Sequence, residues 1–292
     1  MHELPIPALP SDLPWKKNSY LLLDAVSVEA LPQKLYQWSE NPIFEPLYLG
    51  TELQELIDLS PCLITLRGPH DPLVRVFLDN ASQEWGYLAF SDAGFEATLQ
   101  HLRWLRQVNV QNGETALLRL ADPSVAHHLF ALGTPTLFGP FDRICTPDSL
   151  DGVWHTHQRT SVLVEQDHSR LYSLNEDELM ALGEVSFRQT IISVGKHLGT
   201  FFPNYKANIQ GRDRVSHIRG LAERAYQNGM CSEREILLFA NVFGFLGEQP
   251  LQNHPDIEHL LNDRSSLTPS QRVEQAARLA EQRATEIQGT LS

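Results

Sequence analysis

The first half of the chain alternates short apolar runs with amphipathic segments. Ser19–Asp24, Cys62–Leu66 and Trp85–Phe90 are short apolar runs of the kind that form buried strands. Asn112-Gly113, between Val108 and Leu118, predicts a hairpin because this dipeptide suits a two-residue turn. Segments with apolar residues at helical spacing predict helices at 29–38, 51–58, 71–78, 92–106 and 122–130. Interleaved strands and helices predict an α/β N-terminal lobe, with a mixed sheet and flanking helices.

From Asn175 onward the pattern is helical and predicts an all-α C-terminal lobe. Capping-box spacings precede apolar-periodic runs and mark helix starts, at Asn175/Glu178, Ser232/Glu235 and Thr268/Gln271. Four or five helices fit between Asn175 and Gly289. The segment 236–246 is apolar almost all round, which is typical of the centre of a helical bundle. The alternative is a surface that buries a hydrophobic segment of a partner, through Phe243 and Phe245.

Changes in composition predict four regions along the chain. Residues 1–18 hold four prolines and predict an extended N-terminal arm. Residues 19–145 form the predicted α/β domain, and 175–292 the predicted helical domain. The intervening residues 146–174 predict a linker, with a short hairpin near Ser161–Val164.

Charge and composition exclude several classes of protein. The 292 residues carry 23 Lys+Arg against 36 Asp+Glu, a formal charge of -13, and no basic patch interrupts this acidity, so nucleic acid is not an expected partner. No apolar run reaches the ~20 residues of a membrane-spanning helix, so we expect no membrane insertion. The N-terminus lacks the features of a secretory signal, which makes the cytoplasm the expected location. Three widely spaced cysteines provide neither a disulfide framework nor a CxxC metal site.

Motifs for nucleotide, zinc or nucleophilic chemistry are absent, so the sequence predicts no cofactor and no catalytic site. The histidines are the main candidates for metal ligands. His155 and His157 would share one face of a strand, and His127 and His128 add two more imidazoles. No further ligand with firm spacing completes such a site, so exposed or core histidines are the preferred interpretation and no metal is predicted.

Two acidic residues stand where α/β enzymes often place catalytic groups. Asp24 ends one predicted strand and Asp122 follows another, and a histidine such as His101 could complete a hydrolytic site. For Asp122 the preferred interpretation is the N-cap of the helix that Pro123 opens. A cytoplasmic hydrolase using Asp24, Asp122 and His101 stays open as an alternative.

A series of short motifs resembles the DUF4123 family, the adaptor or effector-chaperone proteins of bacterial type VI secretion. The motifs occur in the order and approximate spacing of that family. They are Tyr20-Leu21-Leu22-Leu23-Asp24-Ala25, Pro46-Leu47-Tyr48, Ser60-Pro61-Cys62-Leu63-Ile64, Trp85-Gly86, Leu99-Gln100-His101-Leu102-Arg103, Asn112-Gly113-Glu114, Leu118-Arg119-Leu120-Ala121-Asp122-Pro123 and Phe138-Gly139-Pro140. One departure is visible. Where the family tends to have Arg-Phe-Tyr-Asp-Pro-Arg, this chain has Arg119-Leu120-Ala121-Asp122-Pro123-Ser124.

The resemblance implies a non-enzymatic task in the cytoplasm. Such adaptors bind a toxic effector, through its N-terminal region, and load it onto the VgrG spike. We expect each lobe to contact one of these partners. The candidate partner-binding residues are Trp85, Arg103, Arg119, Asp122, Phe243 and Phe245, whereas Trp104 is expected in the core. An immunity-type protein that neutralises a toxin is a further alternative.

Overall fold

The structure, a computed structural model, describes residues 4–110, 113–161, 167–247, 251–262 and 266–290. Asn112 of the predicted turn and Val162–Val164 of the predicted short hairpin lie outside these residues. The chain divides into two compact units, residues 3–185 and 186–292, and the division falls within a single helix. The four regions predicted from composition stay predictions.

A six-stranded sheet forms the centre of the first unit. Its strands, in spatial order, are β2 (Ile43–Pro46), β3 (Cys62–Leu66), β1 (Asn18–Leu23), β4 (Gly86–Ser91), β7 (Phe141–Asp148) and β8 (Val153–Gln158). Every neighbouring pair is antiparallel, and Leu21 of β1 stands opposite Ile64 of β3 and Leu88 of β4. A second, mixed sheet has the order β6 (Thr115–Leu117), β5 (Gln107–Asn109), β9 (Tyr172–Ser173), with β5 and β9 parallel.

Helices cover both faces of the six-stranded sheet, which explains why its central strand reads as a continuous apolar run. Tyr20 and Leu22 of β1 belong to one buried cluster, whereas Leu21 and Leu23 belong to another. Alternate side chains of a strand point to opposite faces, so a strand covered on both sides has no polar face. The helices of this unit are α1 (Leu31–Trp38), α2 (Pro72–Asp79), α3 (Phe95–Leu105), α4 (Pro123–Ala131) and α5 (Pro135–Phe138).

The remaining helices are α6 (Glu176–Phe201), α7 (Gly211–Gln227), α8 (Glu233–Leu246), α9 (Pro255–Asn262) and α10 (Pro269–Thr290). The capping residues that the sequence indicates, Asn175, Ser232 and Thr268, stand directly before α6, α8 and α10. Ser232 and Glu235 form a reciprocal capping box at the start of α8, so two backbone donors of its first turn are satisfied. In the second unit α8 contacts both α7 and α10, which makes it the central helix. The predicted class, an α/β N-terminal lobe and an all-α C-terminal lobe, is confirmed.

The helix predicted at 51–58 is wrong as an α-helix. The segment Gln54–Leu59 is a 3₁₀ helix, and none of its six residues is buried. A short helix gains most of its stability from packing an apolar face, and without that packing a few residues settle into the tighter turn. No helix among the described residues is long and apolar enough to cross a membrane.

Candidate partner-binding site

Arg119 holds the carboxylate at the end of β1. Its Nη2 lies 2.5 Å from Oδ2 of Asp24, whose side chain is almost fully buried while that of Arg119 is half exposed. Asp24 also accepts a hydrogen bond from the backbone N–H of Val26 at 3.0 Å. The buried carboxylate of Asp24 is therefore neutralised by a guanidinium that is itself partly exposed to solvent.

Asp122 is the N-cap of α4, as the sequence predicts. Its Oδ1 accepts hydrogen bonds from the backbone N–H groups of Ser124 at 2.9 Å and Val125 at 3.3 Å. Oδ2 lies 3.9 Å from Nη1 of Arg119. Arg119 thus brings together the two carboxylates that the hydrolase hypothesis names, and both oxygens of Asp122 already have partners.

His101 has other neighbours, so the three residues of the hydrolase hypothesis are not assembled. It is 1% exposed, its Nε2 lies 3.0 Å from the carbonyl oxygen of Leu137, and its ring packs against Trp104 and Phe141. Nδ1 has no hydrogen-bond partner among the described residues. Burial lowers the pKa of His101 to about 4, an effect that the Leu137 carbonyl opposes. The imidazole is therefore neutral at pH 7, with Nε2–H donating to Leu137.

Arg103 fixes the chain that follows β2. Its Nε donates to the carbonyl of Leu47 at 3.0 Å, and Nη2 donates to the carbonyl of Leu49 at 2.9 Å. Nη2 also pairs with Glu45 at 3.1 Å. Charge-assisted hydrogen bonds to several successive residues hold this edge of the six-stranded sheet in one conformation.

Arg103 also lines a pocket of about 210 Å³ at the end of α3. We call it the Arg103 pocket, and its lining residues are Glu52, Gln100, Arg103, Trp104, Arg106, Gln107, His168 and Leu171. Arg106 pairs with Glu52 at 2.5 Å on one side. Trp104 stacks on His168 with ring centroids 4.7 Å apart, and its Nε1 donates to the carbonyl of Arg170 at 2.6 Å. Arginine and tryptophan are enriched at the energetic centres of protein interfaces.

Trp85, a fourth candidate, precedes β4. Its ring stacks on Trp38 at the end of α1, with centroids 5.6 Å apart and an interplanar angle of 8°. Both rings are partly buried and pack against the core cluster on that face of the sheet. Trp85 is not one of the residues that line the Arg103 pocket.

Phe243 and Phe245 lie near the C-terminal end of α8, in the second unit, and both are half-buried. Phe243 packs against Phe239 with centroids 5.3 Å apart, and the guanidinium of Arg224 lies 4.8 Å from its ring centre. Phe245 contacts Phe202 edge to face at 4.9 Å. Both predicted residues therefore combine core contacts with a solvent-facing part.

The histidines singled out from the sequence meet between α4 and β8. Nδ1 of His127 lies 3.0 Å from Nε2 of His157, and the rings of His127 and His155 stack at 3.7 Å. Burial, together with the neighbouring imidazoles, lowers the pKa of His127 to about 3 and that of His157 to about 4. In the part of the chain that the structure describes, no group of three or more His, Cys, Asp or Glu residues is arranged to hold a metal ion.

Comparison with known proteins agrees with the motif series. Residues 19–136 match DUF4123, described as a domain of unknown function. The chain is 32% identical over 279 residues to "Accessory protein VasW" of Vibrio cholerae serotype O1, across 94% of this chain and 92% of that protein. The chain belongs to the DUF4123 family. No solved structure matches it.

Membership of DUF4123 confirms the resemblance that the motifs indicated. The sequence did not predict, however, which residues contact the candidate residues in the folded chain. Arg103 and Arg106 are three residues apart at the end of α3, a spacing that places both on one helix face and could have suggested the pocket. Glu45, Glu52 and His168 reach that face from distant parts of the chain. No local pattern connects them to α3.

Proposed function

We propose that this chain is an adaptor of bacterial type VI secretion. It binds a toxic effector in the cytoplasm, through the N-terminal region of the effector, and loads it onto the VgrG spike. The observation that carries the proposal is the match to a protein named as an accessory protein, at 32% identity across nearly the full length of both chains. Similarity over both compact units, and not the DUF4123 region alone, supports a shared task for the whole molecule.

The Arg103 pocket is the part of the first unit best suited to a protein partner. Trp104 and two arginines supply anchor chemistry, and Leu171 at the pocket is 39% exposed. Leu49, whose carbonyl is held by Arg103, is 41% exposed. Exposed apolar side chains beside polar groups that are already held in place form a surface that a partner can bury. Binding there does not first have to order a loop.

The six predicted partner-binding residues divide into two groups within this proposal. Arg103 holds the backbone that follows β2, and Asp122 holds the backbone at the start of α4. We propose that these two residues contribute to partner binding indirectly, by fixing the surface around them. Trp85, Arg119, Phe243 and Phe245 keep a solvent-facing part, which makes direct contact with a partner the role we propose for them.

The test is capture of partners by the full chain in its native bacterium. Leu171→Asp places a carboxylate at the Arg103 pocket, where a docked partner would desolvate it. Leu132→Asp is the matched control, because Leu132 is 42% exposed and follows α4, away from the residues that line the pocket.

We expect an effector and VgrG to co-purify with the wild-type chain and with Leu132→Asp. With Leu171→Asp, the captured amount of at least one of these two partners should fall by fivefold or more. Absence of both partners from the wild-type eluate, in cells that produce them, would refute the adaptor role. Equal capture by both variants would remove the Arg103 pocket from the proposal.

A further inference from the structure

The second unit contains an open cleft between two of its helices. Its volume is about 440 Å³, and it lies between the C-terminal half of α6, the connection that follows, and the start of α7. We call it the α6–α7 cleft, and its lining residues are Gly195, Lys196, Gly199, Thr200, Pro203, Ala207, Gln210, Gly211 and Arg214. Most of these residues are small, which leaves the space open, and the volume is within the range of ligand sites.

The only charged side chains that line the described cleft are cations from two different helices. Lys196 comes from α6 and Arg214 from α7. Among the described ion pairs neither has a carboxylate partner, and Nη1 of Arg214 donates to the carbonyl of Lys206 at 3.4 Å. Thr200 and Gln210 add neutral hydrogen-bonding groups to the same walls.

This cleft lies in a locally basic stretch of the chain, which corrects the expectation that no basic patch interrupts its acidity. Residues 186–222 contain six Lys+Arg and one acidic residue, Asp213. Residues 3–185 contain 11 basic and 25 acidic side chains, whereas residues 186–292 contain 12 and 11. Lys196 and Arg214 line the same cleft and have like charge, so an anion that enters the cleft relieves the repulsion between them.

We propose that the α6–α7 cleft binds an acidic peptide segment of a protein partner. The inference rests on the proposed function and specifies the chemistry of one partner segment that this chain binds. Two cations from the two helices that line one open cleft suit two carboxylates along one chain, and Thr200 and Gln210 are available for its backbone. A segment of that kind is repelled by the first unit, whose charge is strongly negative, and so is directed to the second.

Binding is measured by fluorescence anisotropy of a fluorescein-labelled hexaglutamate peptide with the full chain. Lys196→Gln combined with Arg214→Gln removes both charges of the cleft. Arg278→Gln is the control, because Arg278 is an exposed cation of α10 in the same unit and does not line the cleft. A labelled hexalysine peptide and inorganic phosphate as a competitor complete the design.

We expect the hexaglutamate peptide to bind the wild-type chain and Arg278→Gln equally, and the double variant at least tenfold more weakly. Affinity should fall as sodium chloride is raised, because the contacts are between exposed charges. Any binding of hexalysine to the acidic first unit should be the same in the wild-type chain and in the double variant, because it does not use the cleft. No binding of hexaglutamate, or equal binding of hexaglutamate to the double variant, overturns the proposal.

Inorganic phosphate that abolishes peptide binding at low millimolar concentration would also overturn it, since the cleft would then be a phosphate site. The double variant is also used in the capture experiment. If the wild-type chain captures VgrG and an effector but does not bind hexaglutamate, the cleft inference fails and the adaptor role stands. If hexaglutamate binds as expected and neither protein is captured, the adaptor role fails.

Discussion

His101 should make the first unit sensitive to mild acid. The folded chain holds this imidazole neutral with a pKa of about 4, against 6.5 for an exposed histidine. Between these values the unfolded chain binds a proton that the folded chain does not, so stability falls as the pH falls below about 6.5. The slope approaches about 1.4 kcal/mol per pH unit, and the loss from pH 7 to pH 5 is about 2 kcal/mol from this residue.

The assay is urea unfolding followed by tryptophan fluorescence. All five tryptophans lie between Trp15 and Trp154, so the signal reports on the first unit alone. His101→Gln keeps an N–H donor for the carbonyl of Leu137 but has no proton to gain. The difference in unfolding free energy between pH 7 and pH 5 should be about 2 kcal/mol smaller in this variant than in wild type. The control His70→Gln replaces an exposed histidine and should leave the difference unchanged.

An unchanged difference in His101→Gln would refute the reasoning, because it would mean that the imidazole gains its proton equally in both states. If His101→Gln does not fold at pH 7, the same question is answered on the wild-type chain. Imidazole titration by NMR should find no protonation of His101 above pH 5. A midpoint near 6.5 would contradict the buried, neutral state.

The remaining predictions concern single contacts. Asp122→Ala removes the N-cap of α4 and should lower the free energy of unfolding by about 1 kcal/mol in the urea assay. Gly139→Ala should cost more than about 2 kcal/mol, because φ is +49° there and an added Cβ overlaps the buried imidazole beside it. Arg119→Met should cost about 1 kcal/mol, limited by solvent around the guanidinium, and much less in a chain that also carries Asp24→Asn. Ser232→Ala should cost about 1 kcal/mol in the second unit, measured by far-UV circular dichroism; no change would contradict the capping box.

The local elements were readable because their signals lie within a few residues of each other. Asp71-Pro72 and Asp122-Pro123 each place a side-chain acceptor before a residue with a fixed φ, and helices begin there as expected. The continuous apolar run of β1 predicted a strand buried on both faces. The segment 51–58 was predicted wrongly because its apolar spacing resembles that of an α-helix, although none of the residues Gln54–Leu59 is buried.

The side-chain partnerships required the tertiary structure. Arg119 is 95 residues from Asp24, and Arg103 is 58 residues from Glu45. The sequence marked these arginines as candidates through their place in family motifs, but it did not reveal that one neutralises a buried carboxylate and the other fixes a sheet edge. The histidines between α4 and β8 are a similar case, since the 30 residues between His127 and His157 hide their contact.

By itself the sequence indicated three strands of the main sheet, most of the longer helices with several of their caps, the two-lobed class and the family, but it did not indicate β2 or β7. These follow from backbone geometry and hydrophobic periodicity, which act over one to four turns of chain. Only the tertiary structure decided which strands are neighbours, that the main sheet is antiparallel, and where charged groups find partners. Such choices depend on burying both faces of one sheet at once, a condition that no local segment contains.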